Sequence, residues 1–143
     1  MKYLDLPPIW LLGALILTRI SPWGLPWGAA FWPGVILLSL AAGLVAAALW
    51  EFARARTTPI PHQHPSALID SGIFRWTRNP IYLADILILA GFTLVWAKML
   101  GLVLLPILVA LLDRRFIRTE EARLTAAFGD AFEAYAARTR RWL

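Results

Sequence analysis

Two short polar clusters could do chemistry in a chain otherwise built of apolar runs. The first is Arg78-Asn79-Pro80, with Tyr82 and Asp85 just behind it; the second is Glu120-Glu121. A guanidinium presents a planar fork of donors that suits carboxylate or phosphate. A carboxylate accepts hydrogen bonds from ribose hydroxyls or amines and can balance a positive centre. Asn79 offers a donor and an acceptor but does not titrate, so it can hold a ligand and cannot serve as a general base. Asp85 stands one turn inside an apolar run, where an acid is costly. Either it has a function there or it is paired with an arginine. His62-Gln63-His64 is the remaining cluster of ligand type. Two histidines in a proline-rich loop, with no cysteine in the chain, fall short of a zinc ligand set. They also lie outside the apolar runs that could carry a haem, so no metal is assigned.

Each of these residues also has a plainer reading. Acids in the first turn of a helix stabilise it by about 0.3–1 kcal/mol. An asparagine before proline is a good helix cap, and Pro80 suits the first turn of a helix. Arg78 can snorkel and Tyr82 can belong to an interfacial aromatic belt. Arg114 and Arg115 are ordinary positive anchors at the end of a span. What favours chemistry is placement, which depends on the elements that carry these residues.

Those elements read as an all-α integral membrane protein with four transmembrane helices and a C-terminal cytoplasmic amphipathic helix. The 143 residues form one domain; 59% are hydrophobic and the mean hydropathy is +0.63, beyond a soluble globular chain. Spans are expected over about 6–22, 31–52, 80–97 and 99–115, and an interfacial helix over about 119–138, opened by Thr119 as N-cap. Small residues from Ser39 to Ala48 let the second span approach its neighbours closely and place it at the centre of the bundle. The Pro, Gly and Trp of residues 21–33 break helix and seat indoles at the lipid–water boundary. Leu124, Ala127, Phe128, Ala131, Phe132 and Tyr135 follow helical spacing and form one apolar stripe. The N-terminal run has only Lys2 as a basic flank and does not read as a cleaved signal peptide. Arginines crowd the 54–78 loop and the chain after the last span, whereas the other side holds Arg19 and Lys98. The positive-inside rule then puts both termini and both clusters in the cytoplasm, with a bacterial inner membrane as the expected location. The net charge of +5 points to anionic lipid headgroups and not to nucleic acid.

The run Gly72-Ile73-Phe74-Arg75-Trp76-Thr77-Arg78-Asn79-Pro80-Ile81-Tyr82-Leu83, followed after a helical hairpin by Glu120-Glu121-Ala122-Arg123-Leu124 and Phe128-Gly129, resembles a known signature. It is that of the isoprenylcysteine carboxyl methyltransferase and phospholipid methyltransferase family of integral membrane enzymes. The likeness runs from about Pro59 to the C-terminus. Asn79 stands where the family usually has His, and Ala84 where it usually has Gly. The resemblance implies methyl transfer from S-adenosylmethionine to a lipid-soluble or lipid-anchored acceptor. It implies cofactor contacts from Ser66, Ala67, Leu68, Ile69, Gly72, Phe74, Asn79, Tyr82, Glu120 and Glu121, and substrate contacts from Arg78, Arg114 and Arg115. It assigns no general base, names no acceptor and fixes no oligomeric state. An NADPH-binding reductase relative and a non-catalytic membrane subunit or lipid-binding protein on the same scaffold are the two alternative functions.

Overall fold

The computed structural model describes residues 6–26, 30–57 and 67–143, so Ser66 and the His62-Gln63-His64 cluster lie outside the described residues. Helices make up most of the described chain. Helix α1 spans Pro7–Ile20, α2 Phe31–Arg54, α3 Pro80–Val95, α4 Met99–Leu111, α5 Arg118–Phe128 and α6 Asp130–Arg138. A 3-10 turn, Gly72–Arg75, precedes α3, and a π turn, Leu112–Ile117, joins α4 to α5. Prolines open both α1 and α3 within their first turn, where a missing N–H costs no helical bond.

Helix α3 is the hub, touching α1, α2 and α4. Its seam with α2 is made by residues without bulk. A Cβ on Gly34 would stand 2.7 Å from the Gly91 carbonyl oxygen, and one on Gly91 would stand 2.8 Å from Leu38 Cγ. Ala41, Ala48 and Ala84 are fully buried. The small residues of α2 therefore serve one close crossing with α3, and the central position expected for α2 belongs to α3. Buried Leu11, Tyr82, Leu89, Leu108, Leu112, Phe116 and Ile117 fill the space between α1, α3 and α4.

The connections at one end of the bundle are joined to each other. Leu25 N–H donates to the Ala97 carbonyl (2.6 Å), Met99 N–H donates to the Trp23 carbonyl (3.1 Å), and Lys98 Nζ donates to the Ser21 carbonyl (2.6 Å). The start of α3, the exit of α4 and both polar clusters lie at the other end. Of the described helices, α2 alone is both long and apolar enough to cross a membrane by itself; α1 and α3 are shorter apolar helices. At about 1.5 Å per residue, the 24 residues of α2 extend about 36 Å, against about 30 Å of bilayer hydrocarbon.

The C-terminal part differs from the sequence reading. The chain runs from Met99 to Phe128 without leaving a helical conformation, passing through Pro106 and the π turn. Thr119 is no N-cap: its hydroxyl donates back to the Arg115 carbonyl (3.1 Å). The break falls later, at Gly129, whose φ of +50° ends α5 and starts α6, so the single helix expected over 119–138 is two. Its apolar stripe is divided too. Phe132 and Tyr135 are buried against Phe74 and Ala48, while Ala127 and Ala131 are exposed. Protein packing, and not a lipid surface alone, takes up the largest side chains of the stripe.

Candidate active site

The first polar cluster is shaped from three sides. Gly72 has φ +54°, and a Cβ there would overlap the Glu51 carboxylate. Glu51, buried near the end of α2, accepts a hydrogen bond from Ser71 Oγ at 2.5 Å, so the turn is clamped onto α2. From α6, Tyr135 Oη donates to the Phe74 carbonyl (2.8 Å). Beyond α6 the chain returns as a strap under the Arg-Asn-Pro segment. The Arg140 carbonyl accepts from Arg78 N–H (3.0 Å), and the Arg141 carbonyl accepts from Asn79 Nδ2 (2.9 Å) and Thr77 Oγ1 (3.3 Å). Asn79 thus occupies the N-cap position of α3 without making a side-chain cap; its amide is used across the fold.

These contacts line a cavity of about 320 Å³, at the lower edge of the usual range for small-molecule sites. Phe52 closes it from α2, Phe74 from the 3-10 turn, and Leu6, Pro7 and Pro8 from the start of α1. The polar groups reaching it are Arg78, Asn79, Tyr82, Asp85 and Glu120. Tyr82 Oη donates to Glu120 Oε1 at 2.7 Å, joining α3 to α5 and the first cluster to the second. Burial pushes the Glu120 carboxyl above the usual carboxylate range, and the bond from Tyr82 and the nearby Arg123 reverse this only in part.

Glu121 faces elsewhere. It pairs with Arg78 (3.1 Å) and Arg141 (2.6 Å), and Arg141 also reaches Asp113 (2.9 Å). This chain of charges ties the motif loop, the strap, α5 and the π turn together behind the cavity wall. Of the residues named from sequence, Phe74, Asn79, Tyr82, Glu120 and Arg78 meet at the cavity. Gly72 and Glu121 support its wall. Leu68 and Ile69 pack against the Phe74 and Phe132 cluster, and Ala67 is half-buried beside them without lining the cavity. Arg114 and Arg115 are exposed on the outside of the helix, with the Arg115 guanidinium over Trp10 at 5.6 Å, and neither lines the cavity.

The arrangement suits a ligand with a flat apolar part and a cationic part. Phe52, Phe74 and Ile81 offer apolar walls, and two acids from different helices, Asp85 and Glu120, line the space together with Arg78, Asn79 and Tyr82. A model of the family described as phospholipid methyltransferase matches residues 29–131, most of the chain and all of both clusters. The chain belongs to the phospholipid methyltransferase family. Neither a curated protein nor a solved structure matches it. The family is one of membrane methyltransferases, and the long apolar α2 accords with that.

As a phospholipid methyltransferase family member, the chain puts several residues to use that its sequence did not single out. Phe52 and Leu6-Pro7-Pro8 reach the cavity only because α1 and α2 end beside the motif. Glu51 could have been suspected from its motif partner: a glycine in a tight turn implies something pressed against it. The strap at Arg140-Arg141 leaves no local signal, since arginines near a membrane-protein terminus read as topology determinants.

Proposed function

We propose that this protein transfers a methyl group from S-adenosylmethionine to a lipid-soluble or lipid-anchored acceptor at the cytoplasmic face of the membrane. The observation that carries this reading is the Tyr82–Glu120 bond, which brings the two family motifs to one cavity beside Asn79 and Asp85. S-adenosylmethionine, when bound, supplies a methyl group on a positively charged sulfur. Phe52, Phe74 and Ile81 would pack on the base, and Glu120 and Asn79 would bond the polar groups of the nucleoside or amino acid. The protein's share of the catalysis is to hold two reactants in line and exclude water, which removes entropy from the barrier. Arg78 lines the cavity and would be the group there to meet an anionic headgroup. A lipid would enter sideways past Leu6, Pro7, Pro8 and Phe52, which line the cavity from the start of α1 and from α2. In this reading all four helices α1–α4 lie in the bilayer, with α1 and α3 short enough to require local thinning or snorkelling at their ends.

Binding of S-adenosylhomocysteine to the purified protein, followed by a labelled-methyl screen of lipid extracts, tests the chemistry. A protein that binds NADPH and not S-adenosylhomocysteine would replace it with the reductase reading. Topology is tested by single cysteines, since the chain has none of its own. Trp23→Cys and Ala126→Cys should react with an impermeant maleimide from opposite sides of a sealed vesicle. Labelling of both from one side defeats the four-span arrangement.

A further inference from the structure

We infer that Asp85 is the proton acceptor of this site, taking a proton from a lipid-borne ammonium so that its nitrogen can act as nucleophile; the inference rests on the methyltransferase reading above. Asp85 lines the cavity from the first turns of α3 and is 8% exposed, and its Oδ2 has no hydrogen-bond partner. No arginine pairs with it among the described residues, so the plainer reading as half of a structural ion pair fails. The cavity's other acid, Glu120, is already engaged by Tyr82. A buried carboxylate without a partner is destabilising unless it takes up a proton or a visiting cation compensates it.

The surroundings favour proton transfer over a lasting ion pair. An ammonium and a carboxylate in contact are two desolvated charges, whereas an amine and a carboxylic acid are none. Low polarity shifts that balance toward the neutral pair. The charged and titratable groups facing Asp85 are Tyr82 from its own helix, Glu120 from α5 and Arg78 from the motif loop. Arg78 is held by Glu121 and Tyr82 by Glu120. In the step itself one N–H bond of the ammonium breaks, its electron pair stays on nitrogen, and an O–H bond forms on Asp85. The released lone pair is what methyl transfer consumes, and Asp85 returns the proton to water at the cavity mouth. An acceptor whose nucleophile carries no proton, such as a carboxylate, has no use for this residue.

The test needs no cofactor for its first readout. Protein is placed in vesicles of choline phospholipid, whose quaternary nitrogen has no proton to give, at a pH where infrared spectra show the buried carboxylate ionised. Adding ethanolamine phospholipid should raise a protonated-carboxyl band in the wild type, and the band should be missing in Asp85→Asn. The second readout is methyl transfer to the ethanolamine lipid, which Asp85→Asn should lower by about 100-fold or more. S-adenosylhomocysteine affinity should stay unchanged, and Asp85→Glu should restore part of the rate. A wild type without the amine-dependent band, or an Asp85→Asn protein within a few-fold of wild-type turnover, overturns the inference. Should Asp85→Asn fail to fold, the wild-type comparison of ethanolamine with choline lipid still decides. Loss of S-adenosylhomocysteine binding in the wild type itself would instead defeat the broader reading.

Discussion

The two ends of the helical body are held by different means. At the end where Trp23 meets Met99, backbone groups bond to backbone groups, with Lys98 Nζ adding a side-chain bond, and the helices below them approach through Gly34 and Gly91. Little there can move without separating main chains. At the motif end one backbone bond, Arg78 to Arg140, is joined by several side-chain bonds between residues distant in sequence: Tyr82 to Glu120, Asn79 to Arg141, Tyr135 to Phe74 and Glu51 to Ser71. Such bonds can enclose a space without filling it. The closed end provides rigidity, and the open end spends part of its polar capacity on a cavity that faces incoming ligands.

The sharpest way to break the contrast is at the closed end. Gly91→Leu forces a side chain into Leu38 and the Gly34 backbone, and overpacking of this kind costs about 3 kcal/mol or more. Thermal unfolding in detergent should show a large drop for this variant, and an unchanged melting temperature would mean that α2 and α3 are not held at that crossing. At the open end Arg141→Ala removes the partner shared by Glu121 and Asp113. Because the guanidinium is a third exposed, about 1–2 kcal/mol is expected, less than for a buried charged bond. The loss should appear both in melting and in cofactor affinity, since the strap also positions Asn79.

Glu120→Gln separates function from stability. Affinity for S-adenosylhomocysteine should fall by about 1.5–3 kcal/mol if Glu120 makes a charged bond to it. The apo protein should melt higher than the wild type at neutral pH. The sign follows from burial, which raises the Glu120 carboxyl above its unfolded value. A group raised in this way penalises the folded state while it is ionised and ceases to do so as pH falls through its folded value. The advantage of the glutamine protein should therefore shrink on acidification; an advantage that grew would contradict the buried placement. The smallest effect belongs to Tyr135→Phe, which removes one neutral bond to Phe74. About 0.5–1.5 kcal/mol of stability is expected, with little change in affinity unless Phe74 moves.

Much of this was legible in the chain because the signals were local. The apolar runs and their proline starts located α1 and α3 closely, and the polar motif before Pro80 marked the end where the cavity forms. Asn79 shows where local reading stops. As the residue before a helix-opening proline it has every sign of a cap, yet its amide is drawn to a carbonyl that only the folded chain brings near. Glu121 similarly reads as a twin of Glu120. A helical turn of about 100° per residue sends the two acids to different places, one to the cavity and one to Arg78 and Arg141. The extent of α5 was missed because Thr119 has the chemistry of a cap. Nothing in its neighbourhood announces that the preceding helix simply continues, and Gly129, which does end the helix, lies within an apolar spacing that favours continuation.

The strap under the motif loop has a consequence for how this molecule is made. Asn79 and Thr77 wait for an acceptor supplied 62 and 64 residues later, after the hairpin of α3 and α4. During synthesis the loop therefore emerges, and α3 enters its place beside α2, before its clasp has been translated. Until Arg141 has been made and has left the ribosome, a nascent chain can have its helices arranged and still lack a shaped binding site. Ligand affinity would then depend on the strap being in place, and released chains truncated just before and just after residue 141 should differ in it.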